Sequence, residues 1–246
     1  VFSLKIFLGP LPELFQIKCG NSLIDDPKVS DRAFNWQAQF KDVFAQGGFD
    51  VVVGNPPYIR NTELSIKDKE EFSAKYKSAY QQYDIYLLFF EFGLNILRKN
   101  GILGFITPNK FMVSDYGLKL REILLNNSSI LSLVDVSHLT IFKDAMTYPA
   151  ITIFEKTVKD NYIKFQNILE VGELNSKDGF AISQKKFMQG DNRLIYDVGN
   201  KKFEICKKIE SNKKIEDLFS CQRGSPRNKI KTAEKTKKDW EEVGIL

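Results

Sequence analysis

Hydrophobic residues along this chain follow two different spacings. Short runs rich in β-branched and aromatic residues, bounded by glycine, proline or asparagine, are typical of buried strands. Longer apolar stretches with three- and four-residue spacing are typical of helices that pack on one face. The pattern predicts strands at residues 49–53, 101–107, 130–136 and 148–154, and helices at 67–80, 83–98 and 114–125.

This alternation of strands and helices predicts an α/β fold built on a doubly wound sheet. In such sheets ligands bind beyond the carboxyl ends of the strands. Asn55 comes directly after the strand at 49–53 and is therefore predicted to lie at the ligand-binding edge. Ser114 is predicted to cap the helix that follows it, and Phe72, Tyr76 and Tyr80 are predicted to pack inside the molecule.

The corner Asn55-Pro56-Pro57-Tyr58 carries the clearest chemistry of the chain. The two prolines fix φ near −65° and carry no N–H, so the corner is stiff and its carbonyls can face a ligand. The Asn55 side-chain oxygen and the Pro56 carbonyl could both accept hydrogen bonds from one flat –NH₂ group. Two such acceptors favour a pyramidal nitrogen with an available lone pair, which is the state that attacks a methyl donor.

An adenine amino group fits this description, because its lone pair is delocalised into the ring until it is held in this way. Tyr58 offers a ring on which a base can stack, a contact worth roughly 1–3 kcal/mol. A base inside a duplex would have to be flipped out to reach the corner. The alternative is that the corner is only a strand exit and a turn, since glycine, asparagine and proline are ordinary turn residues.

The corner and its surroundings resemble the amino-group DNA methyltransferases, and more narrowly the adenine-N6 enzymes of the fused Type IIG restriction-modification group. The resemblance runs from about residue 17 to residue 156. It rests on these segments: Phe34-Asn35-Trp36, Phe40, Val43-Phe44, Gly47 through Arg60 with the corner, Tyr83-Asp84-Ile85-Tyr86, Gly101 through Phe111, and Tyr148-Pro149-Ala150-Ile151.

The resemblance implies S-adenosylmethionine as the cofactor and flipped adenine as the target. It implies catalytic roles for Asn55, Pro56, Pro57 and Tyr58. It places the adenine ring of the cofactor against Asn21, Ser22 and Leu23, with Asn55 and Pro57 also touching the cofactor. It further implies that Phe142 packs on the flipped base opposite Tyr58.

The glycine-rich turn that holds the methionine part of the cofactor in this family is not present before Asn55. We therefore expect the chain to be the middle of a longer protein and to be inactive by itself. The expected domains are a catalytic portion at residues 1–158 and the beginning of a DNA target-recognition domain at residues 159–246.

The charge of the chain is concentrated at one end. Residues 201–246 hold 13 Lys and Arg against 8 Asp and Glu, so they carry the whole formal charge of +5. An excess of positive charge suits a phosphate-facing surface. Double-stranded DNA is the expected partner, with Arg223, Arg227 and Lys229 as the expected contacts. The alternative is a solvated lysine-rich helical face.

Composition excludes several other classes of protein. The chain has no apolar run of about 18 residues that would predict a membrane span. Its three cysteines are scattered without metal-ligand spacing, which predicts reduced thiols in the cytoplasm and no metal site. The single histidine, His138, argues against a histidine-based catalytic triad.

Two other functions remain open at this point. The same corner suits methyltransferases that modify a protein glutamine or a base in RNA, because both offer an sp² –NH₂ group. The second alternative is a non-catalytic module that binds DNA and specifies a site. The basic segment from residue 201 onward favours DNA over protein or RNA.

Overall fold

The computed structural model describes residues 18–139, 148–175, 179–188 and 192–194. These residues belong to the first of two compact units of the chain, Val1–Asp197. Within them the strands are β1 (Phe49–Gly54), β2 (Leu97–Pro108), β3 (Ser129–Asp135), β4 (Pro149–Glu155), β5 (Tyr162–Asn167) and β6 (Phe180–Ser183). They form one mixed sheet in the order β1-β2-β4-β3-β5-β6.

Two short helices precede β1, and three longer ones lie between β1 and β3 in the sequence. The α-helices of the described residues are α1 (Trp36–Gln39), α2 (Lys41–Ala45), α3 (Ile66–Lys75), α4 (Ile85–Ile96) and α5 (Leu118–Asn127). Single 3₁₀ turns occupy Asn61–Glu63, Asn109–Met112, Asp115–Gly117, Val171–Asn175 and Gln184–Phe187. The predicted α/β fold is confirmed, and the four predicted strands are all present.

The unit β1–α4–β2 forms the part of the sheet that carries the candidate site. β1 and β2 are parallel, with Gly54 opposite Phe105. Helix α4 crosses over between them, and every one of its residues except Asn95 is buried. Gly48 directly precedes β1 with φ +122°, and a Cβ there would lie 2.4 Å from the Ile96 carbonyl oxygen. A side chain at Gly48 would therefore push β1 away from the junction of α4 and β2.

The sheet is mixed because β4 lies between β2 and β3. β4 runs antiparallel to both neighbours, whereas β3 and β5 are parallel. The carboxyl end of β2 therefore meets the amino end of β4, and the Asn109 backbone N–H donates to the Tyr148 carbonyl at 2.8 Å.

Two predicted helix boundaries were wrong. The helix predicted at 67–80 ends at Lys75, because the backbone N–H groups of Lys77 and Ser78 donate to the Glu91 carboxylate instead of continuing the helix. Ser114 does not cap α5. Its hydroxyl donates to the Lys110 carbonyl, and the α-helix begins four residues later, at Leu118.

The prediction that Phe72, Tyr76 and Tyr80 pack inside the molecule is largely confirmed. Phe72 and Tyr76 are buried, and the Tyr76 hydroxyl donates to the Leu23 carbonyl at 3.0 Å. Tyr80 is only half-buried.

Strands β5 and β6 were not predicted, and they extend the same sheet across residue 159. β5 pairs with β3, and β6 pairs antiparallel with β5. The predicted domain boundary between residues 158 and 159 stays a prediction.

Candidate active site

Asn55 lies at the carboxyl end of β1, where the strand pattern predicts a ligand-binding edge. Its side chain is exposed, Pro56 is buried, and Pro57 and Tyr58 are half-buried. Among the described residues, no hydrogen bond is made to the Pro56 carbonyl. The corner therefore offers an exposed amide and a backbone acceptor on a rigid turn.

The Tyr58 side chain turns back towards Asn55. Its hydroxyl lies 2.9 Å from Asn55 Oδ1 and donates to it, and the Ile106 carbonyl on β2 is a second acceptor at 3.3 Å. Burial raises the pKa of Tyr58 to about 12, so the hydroxyl stays a neutral donor near neutral pH. The structure thus brings together two of the predicted catalytic residues, Asn55 and Tyr58, and holds the amide oxygen in one orientation.

Tyr58 rests on a second tyrosine from helix α4. The Tyr86 ring meets the Tyr58 ring edge-on, with ring centroids 6.2 Å apart. The Tyr86 hydroxyl lies 3.4 Å from the Tyr116 hydroxyl. Burial holds the pKa of Tyr86 well above its usual value, so this hydroxyl is also neutral.

Asp84 extends this network towards the surface. It occupies the N-cap position of α4, where an aspartate usually accepts a backbone N–H, but its side chain makes no such bond. The Tyr116 hydroxyl, Arg60 and Lys110 all lie within electrostatic range of the carboxylate. Burial raises the pKa of Asp84, and the two cations partly oppose that effect.

Arg60 and Lys110 are both exposed beside this carboxylate. Arg60 forms an antiparallel bridge with Asp84. On either side of that bridge, Ile85 N–H donates to the Ile59 carbonyl and Asn61 N–H donates to the Tyr83 carbonyl. The segment that follows the catalytic corner is thereby fixed to the start of α4.

Arg121 holds the turn that carries Lys110. The Arg121 side chain is buried, and its Nη1 donates to the carbonyls of Phe111 and Ser114, each at 2.7 Å. A guanidinium group suits this task because its donors are arranged in a planar fork. The loop beyond β2 is therefore anchored from α5.

Three of the predicted cofactor residues, Asn21, Ser22 and Leu23, lie in a turn before α1. Asn21 Oδ1 accepts the Leu23 N–H at 3.2 Å, and Asn21 pairs with Ala33. Ser22 and Leu23 are buried, and the Ser22 carbonyl accepts the Trp36 Nε1–H at 3.1 Å. The Asn21 amide is thus oriented by its own turn.

Several predicted site residues lie outside the described residues: Phe142, Arg223, Arg227 and Lys229. Their roles stay predictions. Within the described ranges, no group of three or more His, Cys, Asp and Glu side chains could hold a metal ion. None of the helices in those ranges has the length and apolarity of a membrane span.

The sequence pattern gave no role to Arg60, Asp84, Lys110 or Tyr116. One signal was present for Asp84, since an aspartate directly before an apolar helix is expected to cap it. Only the structure shows that this side chain makes no cap hydrogen bond and lies within electrostatic range of Arg60 and Lys110.

Comparison with known proteins identifies the family of the chain. The model of the Eco57I restriction-modification methylase family matches residues 11–142. The chain is 36% identical over 154 residues to the Type II restriction enzyme and methyltransferase RM.Eco57I of Escherichia coli. This matched region covers 58% of the chain and 14% of that protein. It is 37% identical to the Type II methyltransferase M.XhoI of Xanthomonas vasicola, over 44% of the chain and 20% of that protein.

Among solved structures, the fold is similar to that of a nuclease-deletion mutant of the Type ISP restriction-modification enzyme LlaGI, in complex with a DNA substrate mimic. The TM-score is 0.50 at 17% identity, over 68% of this chain and 20% of that one. This likeness concerns the fold alone. The family match covers more than half of the 246 residues, and the chain belongs to the Eco57I restriction-modification methylase family.

Proposed function

We propose that this chain is the catalytic portion of a site-specific DNA adenine-N6 methyltransferase, within a larger restriction-modification enzyme. The observation that carries the proposal is the pair of acceptors at the carboxyl end of β1. Asn55 Oδ1 is exposed and oriented by Tyr58, and the Pro56 carbonyl next to it accepts no hydrogen bond from the described residues.

These acceptors prepare a poor nucleophile for attack. An amide oxygen has two lone pairs, so Asn55 Oδ1 can accept from Tyr58 and from the target amino group together. The Pro56 carbonyl accepts the second hydrogen of that group. Both bonds withdraw the nitrogen lone pair from the ring and direct it outward, an electrostatic effect of a preorganised site.

The target base reaches this corner only when it is out of the duplex. The Tyr58 ring is supported at its edge by Tyr86 and offers a face on which a flipped base stacks. In this proposal Phe142 closes on the other side of the base.

S-adenosylmethionine is the proposed cofactor, and when bound it supplies an electrophilic methyl group on a sulfonium. Asn21, Ser22 and Leu23 would hold its adenine, with Asn55 and Pro57 beside its reactive end. The Asn21 side chain can accept a hydrogen bond from the adenine amino group, since Oδ1 keeps a second lone pair after accepting the Leu23 N–H. After methylation the spare proton of the amino group passes to water.

The proposed partner is double-stranded DNA in the cytoplasm. Two matched relatives are named as Type II enzymes that include a methyltransferase, and the basic residues Arg223, Arg227 and Lys229 suit phosphate contacts. The chain spans 14% of the E. coli relative, so the reaction belongs to an intact protein with further parts.

The test is transfer of a labelled methyl group from S-adenosylmethionine to mixed-sequence duplex DNA by the intact enzyme, followed by digestion to nucleosides. The proposal predicts label on N6-methyladenine. We expect the Asn55→Ala variant to lose at least about a hundredfold in rate, as for the loss of one donor in an oxyanion hole. The matched control is Asn127→Ala, since Asn127 is exposed at the far end of α5.

Label on cytosine, protein or RNA would contradict the proposed substrate. No label on any acceptor would leave the chain as a DNA-binding module. Equal loss in the Asn55→Ala and Asn127→Ala variants would show a folding defect and would remove Asn55 from the mechanism.

A further inference from the structure

Two exposed cations flank the corner that receives the target base. Arg60 follows Asn55 by five residues, on the segment that leaves β1, and Lys110 follows the carboxyl end of the neighbouring strand β2. Because β1 and β2 are parallel, their carboxyl ends lie at the same edge of the sheet. Both side chains therefore lie at the edge that holds Asn55.

The two cations share one carboxylate without pairing with it directly. Arg60 and Lys110 each lower the pKa of Asp84, so both lie close enough for an electrostatic interaction. Neither forms a salt bridge or a side-chain hydrogen bond with the described residues. Their donors remain available to a ligand, while the half-buried carboxylate keeps both heads in the same region.

Asp84 is the N-cap residue of α4, but its side chain makes no cap hydrogen bond. Its carboxylate instead interacts with the charges of Arg60 and Lys110. An N-cap hydrogen bond usually stabilises the helix that it begins. A residue that departs from its local rule often serves a site, and here the uncapped carboxylate lies near two exposed cations.

We propose that Arg60 and Lys110, on either side of the edge that carries Asn55, form a phosphate-contact site for the DNA strand that carries the target adenine. This inference rests on the proposed function. A nucleotide whose base lies on Asn55 brings its own flanking phosphates to the same edge. Arginine and lysine are common donors to phosphate oxygens, and such contacts fix the register of a protein on its strand.

Acidic groups nearby limit the strength of the site. Glu63 raises the pKa of Asp84, but by less than either Arg60 or Lys110 lowers it. Asp115 lies in the next turn after Lys110 but forms a salt bridge with Arg193 at 3.3 Å. The site therefore provides two directed contacts rather than a broad positive field.

The experiment measures how DNA binding by the intact enzyme depends on salt, together with the KM for DNA and for S-adenosylmethionine. The variants are Arg60→Gln, Lys110→Gln, their double variant, and the charge-preserving Arg60→Lys and Lys110→Arg. Lys41→Gln is the matched control, since Lys41 is exposed on α2 and that helix precedes β1.

Each lost phosphate contact should reduce the slope of log K against log salt by about 0.9, and the double variant by about 1.8. The KM for DNA should rise roughly fivefold per contact near physiological salt, with the KM for the cofactor unchanged. The charge-preserving variants should keep the slope of the wild-type enzyme.

A double variant with the same salt slope as Lys41→Gln would overturn the inference, whatever its turnover. If the wild-type enzyme methylates DNA and the slope is unchanged, only this phosphate site fails. If the wild-type enzyme transfers no methyl group to DNA, the proposed function fails and the site fails with it.

Discussion

At Asn55 the side-chain amide could turn either its oxygen or its nitrogen towards a ligand, since the two ends have the same shape. Only the oxygen can accept from an amino group. The Tyr58 hydroxyl donates to Oδ1, and this bond identifies and fixes the oxygen end of the amide. Tyr58 therefore has a polar role in addition to the stacking role that the sequence suggested.

We predict that Tyr58→Phe slows methyl transfer while leaving the stacking face intact. Loss of one neutral hydrogen bond is worth about 0.5–1.5 kcal/mol, which corresponds to roughly a two- to tenfold lower single-turnover rate. Tyr58→Ala should lose more, because it also removes the ring. The measurement is single-turnover transfer to DNA at saturating substrate.

The pH dependence of the methyl-transfer rate tests whether the Tyr58 hydroxyl stays protonated or ionises during the reaction. The pKa of Tyr58 is raised to about 12, so the hydroxyl stays protonated from pH 6 to pH 9. The ratio of wild-type to Tyr58→Phe rates should therefore be constant over that range. Equal rates for the two proteins, or a ratio that changes with pH, would contradict the proposed role of the hydroxyl.

At the scale of secondary-structure elements, the central strands and helix α4 could be predicted because their burial is encoded locally. The boundaries of α3 could not, since the chain stops following the helix where the Glu91 carboxylate takes the backbone N–H groups of Lys77 and Ser78. Strands β5 and β6 are six and four residues long. Their pairing depends on contacts that are distant in sequence.

The candidate site likewise has one part that the sequence predicts and one part that only the structure shows. The Asn55 corner could be predicted from adjacent residues, because a strand, a glycine and two prolines are enough to place it. The network of Asp84 with Arg60, Lys110 and Tyr116 joins three separate segments. No pattern within one segment predicts that Asp84 leaves the N-terminus of α4 uncapped by its side chain.

Asp84→Asn is predicted to stabilise the protein at neutral pH. The folded pKa of Asp84 is raised above its usual value of 3.8. The stability that the carboxyl group contributes is therefore fully present below that value and is lost as pH rises through the folded pKa. The groups that face Asp84 are Arg60, Lys110, Glu63, Tyr116 and Tyr86.

Asparagine does not ionise and is also a good N-cap residue. The apparent melting temperature of Asp84→Asn should thus equal or exceed that of the wild type at pH 7.5, with the difference shrinking towards pH 4. Thermal unfolding of the intact protein at the two pH values measures this. A lower melting temperature at pH 7.5 would show that the charged form stabilises the fold.

At the scale of the whole molecule, the sheet edge opposite β1, formed by β5 and β6, is held by one buried side-chain amide, that of Gln184. Gln184 follows β6, and its Oε1 accepts the Ile130 N–H at 2.8 Å. Its Nε2 donates to the carbonyls of Leu125 and Ser128 at 3.2 and 2.8 Å. These bonds join the end of β6 to the junction between α5 and β3, more than 50 residues earlier in the chain.

Gln184→Ala should leave a buried backbone N–H and two carbonyls without these bonds. Unmade buried hydrogen bonds cost about 1–3 kcal/mol each, and some relaxation is expected, so the free energy of unfolding should fall by about 2–4 kcal/mol. Gln37→Ala is the matched control, since Gln37 is exposed on α1. Denaturant unfolding, followed by a probe on β5, measures the loss.

Because β5 and β6 lie on the opposite side of the sheet from β1, the Gln184→Ala enzyme should keep its methyl-transfer rate at temperatures where it stays folded. A loss of stability below about 1 kcal/mol would show that β6 is held by its apolar contacts alone. A loss of rate without a loss of stability would show instead that the far side of the sheet is coupled to the corner at Asn55.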